Sequence, residues 1–506
     1  MTEPLDLSLV DLATRVQAGQ LSALDVTELS LERIARSEGL GAFLHVSAEA
    51  ARETARRIDE RRARGETLGA LAGVPIALKD ALATRDAPTT AGSRVLTADP
   101  SAAKGERPSR GWRPPFDATV VERLRRADAV LVGKTNMDEF AMGSSTENSA
   151  FFPARNPWDP TRIPGGSSGG SAVCVADGSA LGSLGTDTGG SIRQPAGLCG
   201  VVGVKPSYGR VSRYGAVAFA SSLDQIGPFA RDVRGAARLL AVTAGADPHD
   251  STCATLPVGD YERACQASVR GLKIGVAKEY FEAGLDPEIG AAIEGVIRAL
   301  SELGCEVRSL SMPHTKYGVS TYYLLATAEA SSNLARYDGV RFGLRVDPER
   351  PDIRRMYEKT RAAGFGAEIK RRIMLGSYAL SAGYYDAYYA KAQRVRTLIR
   401  RDFAQAFTDV DVLITPTSPT PAFKLGEKVE DPLSMYLADI YTLPASLAGV
   451  CGVSVPAAVT APRADRPSLP IGVQIMAPAF AEERLFSVAA GWETRSPIKD
   501  LRPPAR

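Results

Sequence analysis

Histidine is scarce in this chain: of 506 residues only three are histidine, at 45, 249 and 314, and none has another acid–base residue type in a catalytic-looking pattern beside it. A histidine-centred triad therefore has little to be built from. The six cysteines, at 174, 199, 253, 265, 305 and 451, show no CxxC or zinc-ligand spacing and mostly sit in apolar runs. That excludes a disulfide scaffold and a zinc site, so the metal expectation is none, and it predicts a reducing compartment. No apolar run approaches the ~18 residues that a membrane helix needs. The N-terminal MTEPLDLSLVDLATRV carries acidic residues and no apolar signal core, so a soluble, cytoplasmic protein with no membrane contact is expected. Charge of one sign is missing as well. The 61 basic and 58 acidic residues leave a net +3, which supplies no general field for nucleic acid. The GKT at 133–135 lacks the glycine that a phosphate loop requires five residues earlier, where Asp128 stands.

Glycine and serine are present in unusual concentration in one place. The stretch from Gly165 to Ser191 reads GGSSGGSAVCVADGSALGSLGTDTGGS, two Gly/Ser turns separated by short apolar runs. Glycine tolerates backbone angles closed to other residues, so both turns can bring N–H groups close to a ligand, an oxyanion-hole composition. Ser171 to Ala176 reads as a buried helix and Ala180 to Leu184 as a buried strand, an arrangement that lets Ser167 and Ser191 meet. The turn also fits G-x-S-x-G at Ser167 and at Ser168. Arg162-Ile163-Pro164 is a poor strand, however, and a nucleophile elbow needs one directly before it.

A serine hydroxyl is a weak nucleophile until a base takes its proton. With histidine absent from the motif, a lysine kept neutral by burial is the remaining candidate. Lys79 ends the apolar run GVPIALKD, which reads as a buried strand with the lysine at its tip.

GVPIALKD, GGSSGGS and GTDTGGSIRQPA together resemble the amidase signature family. The resemblance implies Ser191 as nucleophile, Ser167 as a cis-linked serine that relays the proton, and Lys79 as base. The backbone N–H groups of Thr188, Gly189, Gly190 and Ser191 would hold the oxyanion. Longer stretches, Gly133 to Asp159, Val202 to Gly215, Ser331 to Gly343 and Gly383 to Ile399, resemble the glutaminase branch that works within tRNA-dependent amidotransferases. For that branch Tyr322, Arg371 and Asp439 match residues that hold glutamine, with Asp439 at its amino group. Arg371 adjoins Arg372, and sequence does not say which points inward. The same resemblance implies no cofactor in this chain, a heterotrimer with B and C subunits, ATP and magnesium used by a partner, and a mischarged tRNA reached through the B subunit. Which of Glu-tRNA(Gln) and Asp-tRNA(Asn) is served stays open. The alternative is a stand-alone amidase for a small carboxamide, which would lack the glutamine clamp. A catalytically dead scaffold is opposed by the intact Lys79, Ser167 and Ser191.

The expected fold class is α/β: a mixed central β-sheet covered by helices on both faces, one amidase domain over 1–506. Within it, 1–65 forms a helical lead-in, 73–232 the signature core and 318–407 a helix-rich substrate-binding region. Ser8, Ser22 and Ser47 read as helix N-caps in the lead-in, and Asp117 as the cap of ATVVERLRRA. Residues 83–115 read as a polar loop, with an insertion near Asp99 to Arg110 relative to the family. Met137 to Ser149 is expected to line the pocket floor near Ser167.

Overall fold

The computed structural model describes residues 3–97, 105–108, 111–281, 284–341 and 343–504, so most of the expected insertion at 99–110 lies outside the described residues. The apolar runs read from the sequence pair into one sheet of eleven strands. In chain order these are β1 (Phe43–Val46), β2 (Pro75–Lys79), β3 (Val130–Thr135), β4 (Gly182–Asp187), β5 (Val202–Lys205) and β6 (Gln225–Ala230). They continue with β7 (Lys273–Ala277), β8 (Glu306–Leu310), β9 (Val412–Pro416), β10 (Cys451–Val459) and β11 (Pro470–Ala477). Their order across the sheet is β1-β3-β2-β4-β6-β5-β10-β11-β9-β7-β8.

The sheet is mixed. β3, β2 and β4 run parallel to one another, as do β9, β7 and β8, while the strands between pair antiparallel. The central strands are buried on both faces, which is why they read as continuous apolar runs rather than alternating ones. Alternation nevertheless separates two cores. Val412 and Ile414 of β9 enter one, and Leu413 between them enters the other. The first core takes in the N-terminal helices and the helices Val233–Thr243 and Glu482–Glu493; the second takes in Gly318–Asn333, Lys391–Asp409 and Leu443–Ala448.

Ser8 and Ser22 cap their helices, accepting from the N–H of Asp11 and Asp25. Three readings need correction. Ser47 stands at its helix start but makes no capping bond. The cap of Thr119–Arg126 is Ala118; Asp117 instead accepts from the Arg85 N–H and pairs with the Arg125 guanidinium, because two nearby arginines offer a stronger partner than a helix N-terminus. The lead-in is also not wholly helical, since Phe43–Val46 forms the sheet edge against β3.

The helix Gly169–Ala176 lies against the end of β3 so closely that a side chain at Gly170 would stand 2.4 Å from the Ala42 carbonyl oxygen and 2.6 Å from the Asn136 nitrogen. Glycine there sets how near the first Gly/Ser turn comes to Lys79.

The second turn is fixed by a fully buried ion pair. Arg193 donates to both carboxylate oxygens of Asp187 at 3.0 and 2.9 Å, and also to Thr442 O, Gln474 Oε1 and Ser446 Oγ. Every guanidinium nitrogen thus has an acceptor, and the end of β4 is tied to β11 and to the 442–446 segment. Asp187→Ala leaves this guanidinium uncompensated in the interior and is expected to cost ~3–5 kcal/mol of stability, read as a lowered denaturant midpoint. An unchanged midpoint would show that the pair contributes nothing net.

Candidate active site

β2 carries Lys79 to the carboxyl end of the parallel trio, where the two Gly/Ser turns converge. The turns touch: the Ser168 N–H donates to the Ser191 carbonyl at 3.2 Å. The Lys79 Nζ lies 2.7 Å from Ser167 Oγ, 2.8 Å from Ser168 Oγ and 2.8 Å from Thr186 Oγ1. The Gly166–Ser167 peptide is cis. Lys79 and Ser167 are wholly buried, whereas Ser191 keeps 7 % exposure, so of the two serines it is the one a substrate can reach.

Burial holds the Lys79 amine down from 10.5 to about 7, because desolvation outweighs the opposing charges of Asp138, Asp187 and Asp224. None of those carboxylates forms an ion pair with Nζ among the described residues. Asp138 and Asp224 are themselves raised to about 6 by burial. Asp138 accepts from the Thr146 and Asn148 N–H groups while its own N–H donates to Ser167 O. This is where the 137–149 segment meets the site.

The Thr188–Ser191 loop is held at both ends. The Thr188 hydroxyl donates to Asp224 at 2.6 Å, Thr442 Oγ1 donates to Gly189 O at 2.6 Å, and Gln194 N–H donates to Gly190 O at 2.8 Å. Gly190 has a φ of +145°, and a side chain on it would stand 2.1 Å from Thr442 Oγ1. Among the described residues the N–H groups of Thr188, Gly189, Gly190 and Ser191 donate to no acceptor. Four unspent donors in one tight loop can stabilise an oxyanion.

The expected substrate residues divide. Tyr322 is buried with its ring end against Gly189, where an added methyl would meet Tyr322 Cζ at 2.7 Å. Asp439 is buried, accepts the Ser144 hydroxyl on Oδ2 and leaves Oδ1 with no hydrogen bond. Burial raises its carboxyl to about 7 against the pull of Ser144 and of Arg372. Arg371 is a correction: its side chain is 44 % exposed and pairs with Glu368. The inward residue is Arg372, 3 % exposed, because successive helical residues point about 100° apart. Its guanidinium lies 5.2 and 5.3 Å from the ring centroids of Tyr323 and Tyr436, which stack at 3.9 Å, and 5.8 Å from Phe219. Nε donates to Glu368 at 2.7 Å, and Tyr436 OH donates to the same carboxylate. Desolvation opposes the guanidinium charge here, but the surrounding phenols and Glu368 outweigh it and raise the group further above its ordinary value.

Sequence reading left Arg372 open beside Arg371 and missed Ser144, Ser168 and Thr186 as site residues. All four stand inside or next to motifs it did identify. Lys134 of the rejected phosphate loop is buried and donates to Asp80, Pro88 O and Thr89. All three contacts of its amine are to protein acceptors.

A buried lysine bonded to a cis-linked serine, with a more accessible serine on the adjoining turn of this sheet, defines an amidase signature enzyme, and the chain belongs to that family: it matches the family described as Amidase over residues 25–486. It is similar to the A subunit of the glutamyl-tRNA(Gln) amidotransferase of Carboxydothermus hydrogenoformans, 54 % identical over 498 residues covering 98 % of this chain and 99 % of the relative. The corresponding protein of Myxococcus xanthus is 56 % identical over 489 residues, covering 96 % and 97 %. The crystal structure of the Thermotoga maritima glutamyl-tRNA(Gln) amidotransferase A subunit matches with a TM-score of 0.79 at 39 % identity, covering 100 % of this chain and 99 % of that one. Among the described residues no helix is long and apolar enough to cross a membrane.

Because Lys79 must be neutral to accept a proton, kcat/KM on an uncharged primary amide should rise with pH through about 7 and level off above it. The same shift acts on stability. Between about 7 and 10.5 the unfolded chain binds the proton and the folded one does not, so this lysine's contribution to stability grows as pH rises through that window. A pH–rate profile flat from 5 to 9 would contradict the assignment.

Proposed function

We propose that the chain is the glutaminase component of a tRNA-dependent amidotransferase. One observation supports this reading over a general amidase. Near the hydroxyl–lysine centre stand a buried carboxylate with a free oxygen, Asp439 Oδ1, and a buried guanidinium, Arg372, whose Nη groups make no hydrogen bond among the described residues. Two opposite, incompletely satisfied charges suit the ammonium and carboxylate of an amino acid.

In the proposed reaction Lys79 accepts the Ser167 proton while Ser167 accepts that of Ser191, and Ser191 Oγ attacks the carboxamide carbon. The N–H groups of Thr188 to Ser191 receive the developing oxyanion, at ~3–4 kcal/mol for a well-placed donor. The tetrahedral intermediate expels ammonia, which takes the relayed proton. A water molecule then attacks the acyl-enzyme by the same relay and releases glutamate and the Ser191 hydroxyl.

Ammonia released into water becomes ammonium, which is not a nucleophile, so the product is useful only inside an enclosed complex. The relatives are named as one component of an amidotransferase, which supports an assembly of several chains. We assign the ATP, magnesium and mischarged tRNA to partner B and C subunits, and the complex to the cytoplasm.

Ser191→Ala should abolish ammonia release from glutamine without loss of fold by circular dichroism. Wild-type release would remove Ser191 as nucleophile. Arg372→Ala and Asp439→Ala should raise KM for glutamine by ~10–100-fold and affect an uncharged amide far less, whereas Arg371→Ala should resemble wild type on both. Equal losses on both substrates would sink the clamp. The isolated chain should form no amidated tRNA, and addition of the cognate B and C subunits should restore formation dependent on glutamine, ATP and magnesium. Amidation by the isolated chain would overturn this partition.

A further inference from the structure

Lys79 Nζ meets three hydroxyls and no acid, although a neutral amine has only two N–H groups and one lone pair. The relay requires the lone pair to face Ser167, so the other two contacts decide whether it does. Ser168 Oγ lies 3.1 Å from the Thr186 carbonyl, which can only accept, and receives the Thr186 N–H at 3.3 Å. Its one hydrogen is committed to that carbonyl, and towards Nζ it can only accept. Thr186 Oγ1 has no hydrogen-bond partner other than Nζ among the described residues. The same residue lines a cavity of about 220 Å³ whose walls include Asp224 and Gln225. Its hydrogen is thus bound to no protein acceptor among the described residues and is free to turn into that cavity, which leaves the oxygen to accept from Nζ.

The charged groups that face Lys79 do not compete for these positions. Asp138 follows β3 and is held by the Thr146 and Asn148 N–H groups. Asp187 ends β4 and is bound by Arg193, and Asp224 precedes β6 and takes the Thr188 hydroxyl and the Phe219 and Ala220 N–H groups.

We propose that Ser168 and Thr186 are positioning residues that take up both N–H groups of neutral Lys79 and thereby turn its lone pair onto the Ser167 hydroxyl. The proposal rests on the Ser167–Lys79 relay given above. It assigns work to the second serine of the Gly/Ser turn and to the threonine before Asp187, each acting through the lysine. Removing either acceptor frees one N–H to rotate towards Ser167, where it competes with proton acceptance.

The test uses the full chain copurified with its companion subunits, on glutamine and on an uncharged primary amide. Ser168→Ala and Thr186→Val should each lower kcat by ~10–100-fold on both substrates with KM for glutamine within ~2-fold, since base orientation and not binding is lost. Their acid limbs should also move to lower pH, because the ammonium form loses a charge-assisted acceptor worth more than the neutral amine's bond. Thr186→Ser keeps the oxygen and should recover the rate and the limb that Thr186→Val loses. Wild-type kcat in both deletions, reduced kcat with the acid limb unmoved, or a Thr186→Ser enzyme as slow as Thr186→Val would each overturn the role. If Ser168→Ala fails to fold, the Val and Ser variants at 186 decide alone. Lys79→Ala separates the two levels: at wild-type rate it removes the relay itself, while an inactive Lys79→Ala alongside unmoved limbs removes only the positioning.

Discussion

An amine sealed inside an eleven-stranded sheet, with hydroxyls for contacts and acids only at a distance, is the constraint on which the rest of this structure turns. Lowering Lys79 from 10.5 to about 7 means that charging it in place is roughly 5 kcal/mol harder than in water, at about 1.4 kcal/mol per tenfold change in protonation. A carboxylate in direct contact would cancel that effect by favouring the ammonium. Asp138, Asp187 and Asp224 do pull the other way, but each is engaged by other groups, so their field limits the shift without removing it. The result is an amine poised near neutrality, the state that the base of the proposed relay needs. Three parallel strands with a closely packed glycine helix provide the burial, and the composition of β2 as a continuous apolar run follows from it.

The hydrolytic and recognition parts share supports. Asp187 holds Arg193, which bonds Thr442 O and Ser446; Thr442 in turn bonds Gly189 O within the loop of free N–H groups. Three residues before Thr442 stands Asp439, whose carbonyl also accepts the Thr442 hydroxyl. The single Thr442 hydroxyl hydrogen is shared between the carbonyls of Asp439 and Gly189, so a displacement of the 439–442 segment is felt at the loop whose N–H groups are unspent. Tyr322 closes the same loop from the other side through its contact with Gly189. Binding and attack geometry cannot be altered independently in such an arrangement.

Much of this was legible in the sequence wherever one residue type had a single chemical use. An apolar run ending in lysine, with no histidine to compete, and two glycine-flanked serines at short separation led to Lys79, Ser167 and Ser191, which the fold brings to one point. The long strands were legible for the same reason, since burial on both faces leaves an uninterrupted apolar run. Neighbouring equivalents were not separable. Arg371 and Arg372 differ by one helical step, and only the packing of Tyr323, Tyr436 and Phe219 selects the second. Asp117 resembled a cap until Arg85, from an earlier loop, and Arg125, from the last turn of the same helix, engaged its carboxylate. The short edge strand Phe43–Val46 carries too few residues for its periodicity to stand out against the helices around it. Ser168 and Thr186 lay within recognised motifs, but which hydroxyl has its hydrogen committed is a property of three-dimensional neighbours alone.

The charge state of the pocket decides what it can discriminate. Asp439 is raised to about 7 with one oxygen unpartnered, and Arg372 keeps its charge, walled by aromatic rings that strengthen a cation's field by excluding water. An entering ammonium supplies the counter-charge Asp439 lacks and pulls its proton equilibrium back towards the carboxylate; an entering carboxylate does the corresponding work for the Nη groups of Arg372. A substrate with both groups satisfies both sites at once. An uncharged amide would satisfy neither, so on the proposed reading the desolvation that lowers Lys79 also disfavours substrates without charge. On the proposed glutaminase reading, reactivity and selectivity thus arise from the same exclusion of water.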